Sequence, residues 1–251
     1  MLGAQRKAFL LKILDRDGRV VAKSVAAELG ISEDSIRRDL RELAEAGALI
    51  RVYGGALPVP PADRPMQERH ALASDSKNRV AAAAIEKIHP GMTIGLDAGT
   101  TALALARMLP RDPTLTVVTP SPHVAIAVAE HSDARVIMIG GELARFSMVA
   151  SGALAMEAVR HLRLDAFFLG VTGIDPVSGL TTGHLDDAIT KRAIAERSDE
   201  TFVLGSEEKV GAVSRYPVIG LDEATDVILD PLDDRALVEE IRVALTGSST
   251  Q

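Results

Sequence analysis

After residue 75 the chain alternates short β-rich runs with helical stretches, a rhythm that few architectures accommodate. The runs fall at 93–97, 115–119, 135–140, 165–171, 201–205 and 226–230, and helical segments of roughly ten residues separate most of them. Parallel strands need long crossover connections, usually helices, so this alternation predicts an α/β body: a mainly parallel sheet with helices on its faces.

The first 57 residues read differently. Phe9, Leu10, Ile13 and Leu14 recur at helix spacing until Asp17-Gly18, and Val21, Val25, Ala26 and Leu29 mark a second, short helix that Gly30-Ile31 breaks. Ser32 is then placed to cap a third helix, with Glu33 and Asp34 in its first turn and Gly47 closing it. Ile36, Leu40, Leu43 and Ala44 form the apolar stripe of that helix, so Arg37, Arg38 and Arg41 project away from it. Residues 48–57 read as two β-like runs about a Gly54-Gly55 turn, a wing. Pro58, Pro60, Pro61 and Pro65 mark a stiff extended connection over 58–74. The expected domains are therefore 1–57, a linker 58–74, and 75–251.

Two short helices, a capped arginine-bearing third element and a wing together define a winged helix-turn-helix. Its recognition helix would present Ser32, Ser35, Arg37, Arg38 and Arg41 to double-stranded DNA, with Arg51 and Tyr53 of the wing touching adjacent backbone. An isolated Arg-Arg pair is more often a solvated helix face paired with acids such as Glu42 and Glu45. Charge favours the DNA reading only when taken by segment. Residues 1–57 hold ten Lys/Arg against eight Asp/Glu, a net +2 within a chain whose total is −7.

In the body, Asp97 ends the first β-run, and Gly99, Thr100 and Thr101 open the helix that follows. Glycine and two hydroxyls at a helix N-terminus suit an anion, since free N–H groups and the helix dipole point at it. Loops after the carboxyl ends of parallel strands are where open sheets bind ligands. Thr119 and Ser121, Gly140 and Gly141, and Thr172 and Gly173 stand at the corresponding ends of later runs, and Lys191 and Lys209 are candidate phosphate cations. Taken singly, these loops read as ordinary turns and the lysines as surface residues.

The segment Ile31-Ser32-Glu33-Asp34-Ser35-Ile36-Arg37-Arg38-Asp39-Leu40-Arg41-Glu42-Leu43, with Tyr53-Gly54-Gly55-Ala56, resembles the N-terminal signature of the DeoR/GlpR family of sugar-metabolism regulators. Ser35 stands where that family usually has threonine, and the hydroxyl is kept. Gly95-Leu96-Asp97-Ala98-Gly99-Thr100-Thr101, Thr116-Val117-Val118-Thr119, Ile139-Gly140-Gly141 and Phe168-Leu169-Gly170-Val171-Thr172-Gly173 resemble, in order, the blocks of the family's sensor domain. The resemblance implies a fold like ribose-5-phosphate isomerase, glucosamine-6-phosphate deaminase and the CoA transferases. It also implies a phosphorylated sugar effector, repression of carbohydrate genes, and a homodimer or homotetramer whose heads meet half-sites about 34 Å apart. Two departures imply an atypical effector: Pro120 replaces the usual asparagine, and Ser206-Glu207-Glu208-Lys209 replaces an Asp-Ser-Ser-Lys-like block.

Composition removes other classes. The absence of cysteine excludes thiolate metal sites and thiol nucleophiles. The six histidines, 70, 89, 123, 131, 161 and 184, lack ligand spacing on any helix, so no metal or cofactor is expected. Apolar runs fall short of the ~20 residues that span a bilayer, and residues 1–12 lack a signal-peptide pattern, so the expected location is the cytoplasm. The rival function is an isomerase or deaminase with Asp97 or Asp175 as base and Lys191 as electrostatic partner. A DNA-binding head, which such an enzyme does not need, argues against it.

Overall fold

The computed structural model describes residues 3–46, 48–59, 66–69 and 72–246, and the chain divides into two units, Met1–Val59 and Pro60–Gln251. In the first, α1 (Gly3–Asp17), β1 (Val20–Val21), α2 (Ala22–Leu29), α3 (Glu33–Glu45), β2 (Ile50–Val52) and β3 (Gly55–Leu57) follow one another. Gly30, at φ 62°, ends α2 in a left-handed cap, and Ser32 Oγ accepts from the Ser35 amide at 3.3 Å to start α3. Gly47, expected to close α3, lies outside the described residues.

Leu10, Ile36, Leu40, Leu49 and Ala56 are all 1% exposed or less and form the core of this unit. Each large aliphatic among them contributes about 1.5–3 kcal/mol by leaving water. Asp39 is buried on the same stripe and pairs through both carboxylate oxygens with Arg6, which ties α3 to α1.

Two local expectations are corrected. Val21 does not begin a helix; Val20 and Val21 form a strand paired with Ala56 and Gly55. The wing turn is Tyr53-Gly54, with Gly54 at φ 81°, while Gly55 is the first residue of β3. Gly55 is needed for space: a Cβ there would stand 1.7 Å from the Val20 carbonyl oxygen.

The second unit comprises α4 (Ser74–Ile85), β4 (Thr93–Leu96), α5 (Thr100–Met108), β5 (Thr116–Thr119), α6 (Pro122–His131) and β6 (Arg135–Met138). It continues with β7 (Glu142–Ala144), β8 (Val149–Ser151), α7 (Ala153–Arg160), β9 (Leu164–Gly170), β10 (Gly173–Asp175) and β11 (Gly179–Thr182). It ends with α8 (Leu185–Ala195), β12 (Ser198–Gly205), β13 (Tyr216–Pro217), β14 (Asp226–Leu229) and α9 (Ala236–Leu245). The six β-rich runs read from sequence are the six strands of one parallel sheet, ordered β14-β12-β9-β4-β5-β6. Adjacent residues of a strand face opposite ways, and Phe167 and Phe168 of β9, both 0% exposed, anchor opposite layers. Phe168 packs with Val80, Leu105 and Val124 of α4, α5 and α6, while Phe167 packs with Val159, Ile194 and Ile241 of α7, α8 and α9.

From β4 the chain builds outward through β5 and β6, then returns to β9 on the other side of β4 and builds through β12 and β14. Strand order therefore reverses between β4 and β9, and the loops leaving those two strands must separate there. The β7–β8 hairpin and the small β10-β11-β13 sheet were not legible as separate elements.

The connection is not extended throughout. Met66–Arg69 form a 3-10 turn, Met66 is 1% exposed in the α4/α5/α6 core layer, and its amide donates to the Phe146 carbonyl at 3.2 Å. An unbranched thioether side chain fills that apolar gap, which outweighs the extended tendency of the preceding prolines. Residues 60–65, 70 and 71 lie outside the described residues. Among the described residues no helix is long and apolar enough to cross a membrane, and no three ionisable side chains are placed to hold a metal.

Candidate functional site

On the head, α3 turns Ile36, Asp39 and Leu40 inward and leaves Arg37, Arg38 and Arg41 exposed. Arg37 pairs with Glu33 one turn earlier at 2.7 Å. Arg38 and Arg41 hold no ion pair among the described residues, and two of the nearby acids are engaged elsewhere: Asp39 with Arg6 and Glu42 with Lys7. Ser32 and Ser35 stand at the helix N-terminus with their hydroxyl oxygens 2.9 Å apart. Arg51 is exposed on β2, and Tyr53, at the turn, is fully exposed. A helix end carrying hydroxyls and uncommitted guanidiniums beside a two-stranded wing can dock in a major groove and reach the flanking phosphates.

In the body, a cleft of about 590 Å³, counted out to its open mouth, lies where the β4 and β9 loops separate. Gly99, Thr100 and Thr101 at the N-terminus of α5 line it, as does Thr172 beyond β9. Gly99 adopts φ 111° and ψ 172°, a conformation essentially reserved for glycine, and so turns the loop into the helix. Asp97 lies beneath, fully buried, and holds the crevice together. Its Oδ1 accepts from the Ala98 amide at 2.7 Å, and its Oδ2 accepts from the Gly170 amide at 2.9 Å and from Lys191 Nζ at 2.5 Å. A Cβ at Gly170 would stand 2.8 Å from the Ala98 carbonyl oxygen, so only glycine lets the loops approach this closely.

Lys191 lines the cleft, but its ammonium is committed to Asp97 and, at 3.3 Å, to Asp187. Burial alone would lower Lys191; the two carboxylates outweigh it and raise its pKa, while burial pushes Asp97 above the ordinary carboxylate range. Lys209 differs. Its Nζ donates to Thr101 Oγ1 at 3.1 Å and to the Leu204 carbonyl at 2.8 Å. Burial lowers it to about 8, Glu208 opposes that shift, and the nearby charges of Lys77, Arg69 and Lys191 add to it. The Lys209 ammonium, the guanidinium of Arg69 and the free amides of α5 thus converge on one end of the cleft. That end favours an anion.

Besides Asp97, which lies beneath it, five sequence candidates fall outside this lining. Thr119 and Ser121 are buried and serve the local turn: Thr119 Oγ1 accepts from the Ser121 amide at 3.1 Å, and Ser121 caps α6. Gly140 and Gly141 follow β6, and a Cβ at Gly141 would meet the Ser151 carbonyl oxygen at 2.5 Å, a packing role. Gly173 lies in β10, close against the Ala212 backbone. Conversely, sequence reasoning missed Arg69, Phe146, Ser147, Thr182 and Asp187 as lining residues. Arg69 sat in the expected linker, and Thr182 ends a hairpin strand too short to recognise. Asp187 is a first-turn acid of α8, a position the helix dipole favours whatever else the residue does.

A winged-helix head together with an α/β body carrying a cleft at its switch point defines a transcription regulator that binds DNA through one unit and carries a sensor in the other. Two family models match, the DeoR-like helix-turn-helix domain over residues 6–59 and the DeoR C terminal sensor domain over 72–231, and the chain belongs to the DeoR family. It is 35% identical to the HTH-type transcriptional regulator GlpR of Haloferax volcanii, over 97% of this chain and 96% of that one. It is 32% identical to the glycerol-3-phosphate regulon repressor of Escherichia coli K12, over 84% of each chain. The body is similar in fold to ribose 5-phosphate isomerase A from Methanocaldococcus jannaschii, at TM-score 0.41 and 19% identity over 54% of each chain. These curated relatives are regulators, and the chain is a DNA-binding regulator rather than an enzyme.

Proposed function

We propose that the chain is a cytoplasmic repressor of carbohydrate-metabolism genes whose hold on operator DNA is weakened by a phosphorylated sugar or polyol bound in the cleft. The observation that carries this reading is the convergence of Lys209, Arg69 and the α5 N-terminus beside Gly99. Gly99, Thr100, Thr101, Thr172 and Lys209 would contact the ligand, with Asp97 and Lys191 holding the loops in place. Ser32, Ser35, Arg37, Arg38, Arg41, Arg51 and Tyr53 would contact duplex DNA. Residues 1–57 act as the head, 75–251 as the sensor, and 58–74 as the transmitting connection. A relative named for the glycerol-3-phosphate regulon favours a small phosphorylated effector.

Release requires that the effector bind one arrangement of the chain better than another, since only differential affinity moves an equilibrium. Paired half-sites require paired heads, so the active species is a homodimer or homotetramer. The test is a thermal-shift screen of phosphorylated sugars and polyols on the full chain, followed by displacement of a duplex selected from random sequence. A true effector at about 100 times its Kd adds about 2.7 kcal/mol to the stability of the sensor and frees the duplex. A screen with no stabilising phosphate, or a stabilising one that leaves the duplex bound, rejects this function.

A further inference from the structure

Of the two glutamates in the departing block, only one reaches the cleft. Glu207 is exposed, whereas the Glu208 side chain is 7% exposed and lines the cavity. Glu208 sits in the 3-10 turn Glu207–Lys209 at the carboxyl end of β12. Its Oε1 accepts from Ser206 Oγ at 2.9 Å and faces Lys77 Nζ at 3.5 Å. Its Oε2 is buried with no hydrogen-bond partner among the described residues. A second lining carboxylate oxygen, Asp187 Oδ1, is also buried without a hydrogen bond, although Lys191 Nζ stands 3.3 Å from it. Folded proteins leave few such atoms unmatched, and those they leave ask for an explanation.

An anionic phosphate cannot provide one. Fully ionised, it offers acceptors only, and a carboxylate beside it is repelled. Lys209 and Arg69 explain the attraction of a phosphate to the cleft, but the orphaned oxygens call for donors on the same ligand. Hydroxyl groups carry such donors, and a bond to an ionised acceptor is about twice as strong as a neutral one.

We infer that Glu208 is the specificity-determining residue of the cleft: its Oε2 accepts a hydrogen bond from a ligand hydroxyl, so the cleft selects a phosphorylated polyol over an alkyl phosphate. This rests on the reading of the cleft as an anion site given above. A ligand with a carboxylate in place of that hydroxyl is disfavoured for the same reason, since two acceptors of like charge would meet.

The experiment is calorimetric titration of the full chain with inorganic phosphate and two matched pairs: glycerol 3-phosphate with n-propyl phosphate, and glucitol 6-phosphate with n-hexyl phosphate. The wild type is expected to favour the polyol in at least one pair by roughly tenfold or more. In Glu208→Ala that ratio falls to about one, because the polyol loses its acceptor and the alkyl chain no longer leaves a buried carboxylate oxygen unpaired. Glu208→Gln keeps the shape and one carbonyl acceptor without the charge, so its ratio falls part of the way and decides the matter where Glu208→Ala does not fold. A ratio unchanged in either folded variant, or equal binding of both partners by the wild type, overturns the role of Glu208. Phosphate binding without polyol preference removes that role alone, whereas failure of all five probes removes the anion cleft as well.

Discussion

Arg38 and Arg37 are neighbours on one exposed helix, yet the structure separates their duties. Arg37 already spends its guanidinium on Glu33, whereas Arg38 has no such partner among the described residues. Arg38→Ala is therefore expected to weaken operator binding by about 1–3 kcal/mol if it reads a base, and Arg37→Ala by less. Fluorescence anisotropy across a salt series checks this, and equal small losses for both would reduce Arg38 to a surface charge. Lys209 makes a second prediction, in pH. Its pKa lies near 8, below the ordinary lysine value, because burial penalises the ammonium. A bound anion favours the charged form, so binding takes up a proton, and affinity falls as pH rises through that value. Above the second ionisation of phosphate, from about pH 7.5 to about pH 9.5, one linked proton predicts a loss of roughly 20-fold. Lys209→Arg stays charged throughout and should flatten the profile. A wild-type profile equally flat would show that Lys209 does not meet the anion.

At the level of elements, two glycines answer to different physics. Gly55→Ala drives a Cβ into the Val20 backbone, so β1 must leave β3, and chemical denaturation of the head should show a loss of several kcal/mol, of the order of severe core overpacking. At Gly99 a Cβ would meet no atom beyond its chain neighbours closer than 3.9 Å, but Gly99→Val forces φ 111° on a β-branched residue, at about 1–3 kcal/mol. It should abolish ligand-induced stabilisation in the thermal screen while leaving operator affinity intact; loss of both together would mean misfolding. These cases also show what could be read in advance. The six parallel strands were legible because each is an apolar run between helices, and the α3 stripe because its apolar positions recur at helical spacing. β1, β7 and β10, at two or three residues each, carry too few side chains to set a period and stayed hidden. Of the candidates legible in the sequence, Gly99, Thr100, Thr101 and Thr172 line the cleft, whereas Thr119, Gly140 and their neighbours do not, because strand ends look alike in sequence and only the β4/β9 pair flanks the reversal in strand order.

For the molecule as a whole, light scattering should find a mass that is an even multiple of 26.6 kDa, and a duplex carrying two half-sites should bind far more tightly than one carrying a single half-site. A monomer that grips both duplexes equally would rule out paired heads. One feature of the sensor bears on how such a switch is thrown. Arg69, alone among the cleft residues, precedes the first helix of the sensor, and the turn that carries it is pinned at one end by Met66 in the core and at the other by Lys77, which donates to the carbonyls of Arg69 and Leu72. On the proposed reading, a metabolite held by Arg69 would be held by the incoming thread of polypeptide itself, and occupancy would stiffen or loosen that short fastening without requiring the sheet to deform.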